Sequence, residues 1–255
     1  MSRRRFYAKP EAFLHAPGQV TLSEEESRHL RDVLRLRAGD EAHVFDGEGR
    51  EFVCVVADEG RRGGSSRLEV RGAAEPQSPE SPLELTLALS MLRGENFDFV
   101  LKKATELGVS RVAPVVTMRV IIHPRDESDA VRRARRWHRL ALEAAKQCGR
   151  ARVPAVEVPT NFAALVRGRQ HADAVRVLFA EQGGVPLDSL PATADPRPSA
   201  VVALVGPEGG WADEEVELAR AHGWAIVTLG GRTLRAETAA MTVCALLQHR
   251  YGDLK

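Results

Sequence analysis

The chain has 255 residues, of which 44% are hydrophobic and 28% are charged, a composition typical of a folded globular protein with room for two modest domains. No segment approaches the roughly 18 uninterrupted apolar residues that a membrane span needs, and the basic start lacks the apolar stretch of a secretion signal. The three cysteines are far apart and form no CxxC pair, which excludes a disulfide framework and a zinc site. We therefore expect a cytoplasmic protein without a metal.

The formal net charge of +1 hides an uneven distribution. Residues 1–72 carry 13 basic and 13 acidic side chains, whereas residues 93–150 carry 13 basic and only 7 acidic ones. Such a local excess of positive charge attracts a polyanion more strongly than the whole-chain charge does. A solvated basic helix face explains the same pattern equally well.

Residues 1–72 have the pattern of a small, separate, strand-rich unit. Ser23 and Glu26 have the spacing of a capping box, which predicts a helix that ends at Ala38-Gly39-Asp40. Alternating apolar runs at 42–45 and 51–56 flank Asp46-Gly47-Glu48-Gly49, a hairpin signal. Short strands separated by glycines predict a small β-barrel.

Residues 73–82 read as a linker, because three prolines in seven residues cannot continue a helix or a central strand. Strands and helices alternate from residue 83 to residue 255, which predicts a mainly parallel sheet with helices on both faces. The predicted elements are a strand at 83–92, a helix ending at Gly108, a strand at 112–116, a helix over 128–148, strands at 175–180, 201–205 and 225–229, and a helix over 237–250.

Two glycine-bearing loops, each between a predicted strand and a predicted helix, are the most informative feature of the chain. We call residues 206–211 (GPEGGW) the first loop and residues 229–235 (LGGRTLR) the second loop. Glycine lets a ligand approach the backbone, and open α/β sheets bind ligands at the carboxyl ends of their strands. Neither loop has the G-x-x-x-x-G-K-[ST] or G-x-G-x-x-G pattern, which argues against ATP and NAD. Together the loops predict one small-molecule pocket.

The two loops and five further segments, in chain order, resemble the RsmE family of SPOUT-class methyltransferases, which methylate N3 of a uridine in small-subunit ribosomal RNA. The two loops resemble the paired motifs of its catalytic domain, and the likeness extends over nearly the whole chain. The other matching segments are Arg4-Arg5-Phe6 with His29–Arg37, Asp46–Gly49, Lys103–Val109 and Glu143–Arg150.

The resemblance implies a fold, a cofactor and partners. The expected fold is α/β: a PUA-like, RNA-binding barrel at 1–72, a linker at 73–82 and a trefoil-knotted SPOUT methyltransferase domain at 83–255. The expected partners are small-subunit (16S) ribosomal RNA, or the assembled small subunit, and a second copy in a homodimer. The cofactor is S-adenosylmethionine, with expected binding residues Leu204, Val205, Gly206, Pro207, Glu208, Gly209, Leu229, Gly230, Thr233, Leu234 and Arg235.

The sequence departs from the family's pattern at two positions. Ala212 stands where the family usually has a helix-capping serine, so Asp213 is expected to cap the following helix instead. Thr233 replaces the usual isoleucine and adds a hydroxyl to an expected apolar wall near the adenine.

The carboxylates of the loops invite a catalytic interpretation. However, loop amides and a helix N-terminus stabilise a carboxylate's charged form, which makes Glu208 and Glu237 poor proton acceptors. We expect Glu208 to hold its loop in shape or to bind the ribose, and Glu237 to anchor the second loop. Cys148 is a conceivable nucleophile for methylation at carbon 5, but Ala144 and Ala145 place it on an apolar helix face, where a buried thiol is expected.

Methylation at N3 needs removal of the imide proton, an in-line methyl group and stabilisation of negative charge on the carbonyl oxygens. Arginine suits the last task. Arg235 and Arg232 are the catalytic candidates, and Arg93 and Arg119 reach from other strand ends. The alternative role of each is a phosphate clamp or a surface ion pair. Further candidates for RNA contact are Arg35, Arg37, Lys102, Lys103, Arg132, Arg133, Arg135, Arg136 and Arg150. A non-catalytic RNA-binding or ribosome-assembly factor with the same fold is the alternative function.

Overall fold

The structure is a computed structural model that describes residues 3–13, 18–61, 63–168, 173–190 and 198–255. Its contacts divide the chain into two compact units. The first unit comprises residues 1–80 and 142–153, and the second comprises residues 81–141 and 154–255. The predicted linker, residues 73–82, therefore includes the boundary at residues 80 and 81, while the segment 142–153 returns to the first unit.

The first unit is built on a five-stranded mixed sheet in the order β1-β3-β4-β5-β2. The β1–β3 pair is parallel, and the remaining pairs are antiparallel. The predicted hairpin is confirmed, since β3 and β4 pair on either side of residues 46–50. The strands are β1 (Arg5–Tyr7), β2 (Gln19–Thr21), β3 (Glu41–Phe45), β4 (Glu51–Asp58) and β5 (Arg67–Ala74).

The helical part of the first unit differs from its prediction in length and capping. Helix α1 (Glu24–Arg28) continues as a π-helical turn (His29–Val33) and ends there, short of the predicted stop at residues 38–40. The reason is that Arg35 adopts φ 53° and the Leu36 amide donates to the Leu30 carbonyl at 3.0 Å, which directs Leu36 into the core.

Only half of the predicted capping box forms. Ser23 Oγ accepts a hydrogen bond from the Glu26 amide at 3.2 Å. The Glu26 carboxylate does not reach back, because its Oε1 instead accepts from Lys146 Nζ at 2.7 Å within the same unit. An ion pair with a distant side chain has replaced a local backbone contact.

The second unit carries a seven-stranded sheet in which every strand pair is parallel, as the alternating pattern predicted. The order is β12-β10-β11-β6-β7-β8, with β9 also on β7. The strands are β6 (Glu84–Ser90), β7 (Arg111–Val116), β8 (Ala155–Val156), β9 (Thr160–Asn161), β10 (Val175–Phe179), β11 (Ala200–Val205) and β12 (Ala225–Val227).

Helices cover this sheet on both faces. Helix α6 packs on β6 and β11 with α2 beside it, whereas α4 packs on β7 and α5 on β12. Gly108 follows α2 with φ +78°, the expected left-handed C′ position. The helices are α2 (Asn96–Glu106), α3 (Glu127–Cys148, which extends into residues assigned to the first unit), α4 (Phe162–Arg167), α5 (Asp213–Ala221) and α6 (Ala236–Tyr251).

The outer edge of β7 is paired in two short pieces. Strand β8 pairs with Arg111 and Val112, and β9 pairs with Val115 and Val116. The interruption falls at Pro114, which has no N–H to donate. Because the Val112 carbonyl accepts from the edge segment, Pro114, two residues further on, faces the same side.

Candidate active site

Three neighbouring parallel strands end at one edge of the second unit's sheet. Phe179 at the end of β10 is in register with Val205 of β11 and with Val227 of β12. The first loop follows β11, and the second loop follows Thr228, one residue after β12. Their strands therefore place both loops at the same end of the sheet, beside the chain that leaves β10.

A cavity of about 390 Å³ lies between these strand ends, within the size range of small-molecule sites. All the expected cofactor residues except Leu204 and Gly209 line it. Its lining residues are Asn96, Phe179, Ala180, Glu181, Val205, Gly206, Pro207, Glu208, Thr228, Leu229, Gly230, Arg232, Thr233, Leu234, Arg235, Ala236, Glu237 and Ala239.

The two exceptions lie on other surfaces of the same strand and loop. Leu204 is fully buried in the core cluster that includes Trp211 and Phe162, so its side chain faces away from the cavity. Gly209 is exposed and lies against Arg119, and a Cβ at Gly209 would be 3.2 Å from the Arg119 Cβ. Alternation along β11 turns the Leu204 side chain to the face opposite the cavity. Cofactor binding at Leu204 and Gly209, which the sequence analysis expected through backbone groups as well as side chains, stays a prediction.

The first loop packs tightly on the indole of Trp211. A Cβ at Gly206 would lie 2.9 Å from Trp211 Cε2, closer than a carbon contact allows. The indole is buried and donates from Nε1 to the Phe179 carbonyl at 2.8 Å. This hydrogen bond connects the first loop to the end of β10. The absence of a side chain at Gly206 leaves the space that the indole occupies.

Two arginine-bearing loops of neighbouring strands also hold the first loop. Glu208 Oε1 accepts from the backbone amide of Arg93, beyond β6, at 3.0 Å. Arg119, beyond β7, donates from Nη1 to the Gly209 carbonyl at 3.2 Å. The hydrogen bond of Glu208 is consistent with the expected role of this carboxylate in holding the loop.

Helix α5, which follows the first loop, is capped differently from the prediction. Ala212, not Asp213, is the N-cap residue, and its side chain has no atom that could accept a hydrogen bond. The buried carboxylate of Glu215 compensates by accepting from the amides of Ala212, at 3.2 Å, and Met118, at 2.8 Å. The prediction of Asp213 as cap is therefore wrong. Asp213 is the first residue of the helix, and the Glu215 carboxylate is the group that accepts from the amide of the N-cap residue.

The second loop has much less side-chain support. Arg232, Thr233 and Arg235 are exposed at the cavity, and their side chains hydrogen-bond to no residue that the structure describes. Glu237, in the first turn of α6, also lines the cavity without such a bond. The expected anchoring role of Glu237 therefore has no hydrogen bond behind it within the described ranges.

A third wall of the cavity comes from the chain leaving β10, which sequence reasoning did not include. It contributes Phe179, Ala180 and Glu181, while Asn96 adds a side chain from the start of α2. Glu181 directly follows the predicted strand at 175–180. The strand-end rule that selected the two loops, applied to this third strand, would have found it.

The candidate RNA-contact residues fall into exposed and paired groups. The exposed candidates are Arg35 and Arg37 in the first unit and Arg93, Lys102 and Arg119 in the second. Lys103 is half-buried and forms an ion pair with Glu106. Some basic groups of α3 already pair with carboxylates: Arg132 and Arg133 with Asp129, and Arg136 with Asp98. Arg135 is exposed.

Arg150 does not belong with the surface candidates. Its side chain is 4% exposed and its Nη2 lies 2.7 Å from Glu80 Oε2 within the first unit. A buried guanidinium that is paired with a carboxylate is not exposed to a phosphate, so the structure gives no support to the predicted RNA contact of Arg150.

The cysteines offer no nucleophile to the cavity. Burial raises the pKa of the Cys54 and Cys244 thiols to about 12, so both are protonated near neutral pH. Cys148 is half-buried with Sγ 3.7 Å from the Ala145 carbonyl, and it does not line the cavity. Within the described ranges no three His, Cys, Asp or Glu side chains are grouped to bind a metal, and no helix has both the length and the apolarity to cross a membrane.

Comparisons with known proteins identify both domains of the chain. Residues 79–248 match the family model described as an RNA methyltransferase domain, and residues 22–69 match the RNA methyltransferase PUA domain. Ribosomal RNA small subunit methyltransferase E of Synechocystis is 32% identical over 94% of this chain and 76% of its own length. The enzyme of that name from Bacillus subtilis is 28% identical over 90% of each chain.

A solved structure covers the whole chain. The crystal structure of the Neisseria gonorrhoeae ribosomal RNA small subunit methyltransferase E, bound to S-adenosyl methionine, has a TM-score of 0.86 at 29% identity and covers 100% of both chains. The expected combination of a PUA domain with a SPOUT-like methyltransferase domain is confirmed, while the trefoil knot stays a prediction. The chain belongs to the RsmE family of ribosomal RNA methyltransferases.

Proposed function

We propose that this protein transfers a methyl group from S-adenosylmethionine to N3 of a uridine in 16S ribosomal RNA. The observation that carries the proposal is the cavity at the ends of β10, β11 and β12, which both loops line. Membership of the RsmE family supports the same reaction, since relatives across the length of the chain bear the name of a small-subunit ribosomal RNA methyltransferase.

The residues of the cavity fit this cofactor. Val205, Leu229 and Leu234 supply apolar contact for an adenine ring, and Gly206 and Gly230 leave backbone groups accessible. When bound, the cofactor supplies an electrophilic methyl group on sulfur. We propose the lining residues of the two loops as its binding set, with Pro207, Glu208 and Thr233 among them.

The arginines of the second loop are proposed to act on the uracil. Negative charge develops on the O2 and O4 atoms when the imide proton leaves, and a fixed guanidinium stabilises such charge. Arg232 and Arg235 line the cavity, are exposed and have no carboxylate partner within the described ranges. Their guanidinium groups are available to the substrate.

RNA is proposed to bind over both domains. Residues 1–72 form the RNA-binding domain, residues 73–82 the linker and residues 83–255 the methyltransferase domain. Positive charge in the RNA-binding domain comes from Arg35 and Arg37. In the methyltransferase domain it comes from Arg93, Lys102, Lys103 and Arg119. The substrate is ribosomal RNA or the assembled small subunit, and the proposed working form is a cytoplasmic homodimer that contains no metal.

Methyl transfer with labelled cofactor tests the proposal. Small ribosomal subunits from a strain lacking this activity are incubated with the protein, and the modified nucleoside is identified by chromatography and mass spectrometry. We expect one 3-methyluridine per subunit. Label on a ribose oxygen or on carbon 5 would contradict the assigned chemistry, and absence of both cofactor binding and label would favour the non-catalytic assembly factor.

Two variants then separate catalysis from binding. Arg235→Ala is expected to lower kcat by about 100-fold, the scale of losing one stabilising donor, with cofactor affinity unchanged within threefold. Arg220→Ala, an exposed change on α5 outside the cavity at a residue that is no candidate for RNA contact, is the matched control and retains wild-type kcat. Equal activity of the Arg235 variant and the control would remove Arg235 from the catalytic role.

A further inference from the structure

Methylation of N3 requires a group that takes the imide proton, and the cavity presents three carboxylates for the purpose. They are Glu181, Glu208 and Glu237. Arginine and threonine side chains make up the remaining charged and hydroxylic lining, and a permanently charged guanidinium is no proton acceptor. The base is therefore sought among the three carboxylates.

Two of the three already interact with the loop or helix that carries them. Glu208 Oε1 accepts from the Arg93 amide at 3.0 Å and keeps the first loop in place. Glu237 lies in the first turn of α6, where its carboxylate interacts with the positive end of the helix dipole. Both carboxylates therefore have a structural role in the chain itself.

Glu181 has neither restraint. It follows the end of β10 rather than opening a helix. Its carboxylate makes no hydrogen bond or ion pair with any residue in the described ranges. It lies against the first loop, since a Cβ at Gly210 would be 3.2 Å from Glu181 Oε1. The free carboxylate thus stands at the cavity beside the loop proposed to hold the cofactor.

The segment that carries Glu181 is itself firmly held. Gly184 donates from its amide to Thr228 Oγ1 at 3.1 Å, and Val185 exchanges backbone hydrogen bonds with Ile226 and Thr228 at 2.9 and 3.0 Å. A Cβ at Gly184 would lie 2.6 Å from the Val227 carbonyl carbon, so the segment can approach β12 this closely only with glycine there. This contact fixes the chain three residues beyond Glu181 and limits where its carboxylate can lie.

We propose that Glu181 is the catalytic base of the methyl transfer, an inference that rests on the function proposed above. The N3–H bond breaks and its proton moves to a Glu181 carboxylate oxygen. The electron pair left on N3 forms the new N–CH3 bond, while the S–CH3 bond of the cofactor breaks and sulfur keeps that pair as a neutral thioether. Glu181 is exposed, so the proton then passes to water and the carboxylate is regenerated.

Glu181→Gln tests the assignment, because glutamine keeps the size of the side chain but cannot accept the proton. We expect kcat at saturating cofactor and RNA to fall about 100-fold at neutral pH, the scale of losing a general base, with cofactor Kd unchanged within threefold. The residual rate of the variant should rise with pH more steeply than that of the wild type, because hydroxide then ionises N3 without help. Glu181→Asp should recover part of the rate.

Glu214→Gln is the matched control, since Glu214 is an exposed carboxylate of α5 that does not line the cavity; it should leave kcat unchanged. Equal rates for Glu181→Gln and the wild type would overturn the assignment, as would a parallel pH profile. A tenfold weaker cofactor Kd with normal kcat would also overturn it, by making Glu181 a cofactor ligand. Failure of the proposed function is distinguishable, because the wild-type protein itself would then form no 3-methyluridine.

Discussion

The first and second loops line the same cavity but are held in different ways. The first is fixed from three sides: the Trp211 indole bonds to β10, Glu208 bonds to the Arg93 amide and Arg119 bonds to the Gly209 carbonyl. The side chains of Arg232, Thr233 and Arg235 in the second loop make no such bonds within the described ranges. One loop is a preformed wall, and the other presents free functional groups.

The difference separates two tasks that a methyl-transfer site must perform. Holding a cofactor in line with its target demands fixed geometry, which the buried contacts of the first loop provide. Stabilising charge on a large RNA substrate demands cations that are not already neutralised by carboxylates, and the second loop keeps its arginines available. Substitutions in the first loop should therefore affect folding and cofactor binding together, whereas those in the second should affect catalysis or affinity alone.

The largest effect is expected for Gly206→Val. The added side chain overlaps the Trp211 ring, and overpacking of this kind costs about 1–3 kcal/mol or more of unfolding free energy. Cofactor affinity by calorimetry should fall at least 100-fold. Gly231→Ala in the second loop is the control, because a Cβ there meets nothing within 4 Å; a loss of stability in this variant would erase the contrast between the loops.

Glu215→Ala should have the next largest effect. It leaves the buried amide of Ala212 and the part-buried amide of Met118 without their acceptor, and the buried amide dominates a loss of about 1–3 kcal/mol. The expected readout is a lower midpoint in urea unfolding. Glu237→Ala, beside the second loop, loses only a helix-dipole contact of about 0.3–1 kcal/mol, so an equal shift in the two variants would contradict the comparison.

Glu208→Ala should give a moderate effect confined to the first loop. Loss of the hydrogen bond from Arg93 frees one side of the loop, and about 1 kcal/mol of net hydrogen-bond energy corresponds to a roughly fivefold weaker cofactor Kd. Glu208→Gln keeps an oxygen acceptor and should stay within twofold of the wild type. If the glutamine variant is as weak as the alanine variant, the negative charge rather than the bond is what matters.

Thr233→Ile should produce the smallest change. Thr233 is exposed at the cavity and its hydroxyl has no partner among the described residues, so the unfolding free energy should move by less than about 0.5 kcal/mol. Cofactor Kd measured by calorimetry should improve by no more than threefold. A large stability change here would show that the second loop is packed as firmly as the first.

Sequence patterns predicted the elements that repeat over many residues. The five longer strands of the second sheet and helices α2, α3 and α6 have enough apolar periodicity to identify them, and the two loops were recognised by their place after strands. The two-residue strands β8 and β9 and the short α4 were missed, because elements of this length contain too few residues to show a period.

Three differences from the sequence-based expectations, two in the first unit and one beside the first loop, have a common cause: contacts between residues far apart in the chain. Glu26 pairs with Lys146, Glu215 reaches Met118, and Arg150 is buried on Glu80. The contacts of Glu26 and Glu215 replace local capping interactions that sequence spacing suggested. The contact of Arg150 buries a charge that the sequence analysis expected at the surface. Nothing in local patterning specifies such partners, which only the assembled sheet brings together.

The interruption at Pro114 has a consequence for how copies of this protein behave at high concentration. A row of unpaired backbone groups along an outer strand is a template for intermolecular β-sheet growth. Here the outer strands are only two residues long, and between them β7 presents a residue with no hydrogen to donate. This side of the sheet therefore resists strand addition and the aggregation that follows from it. Proline gives this protection at position 114 without a charged side chain there.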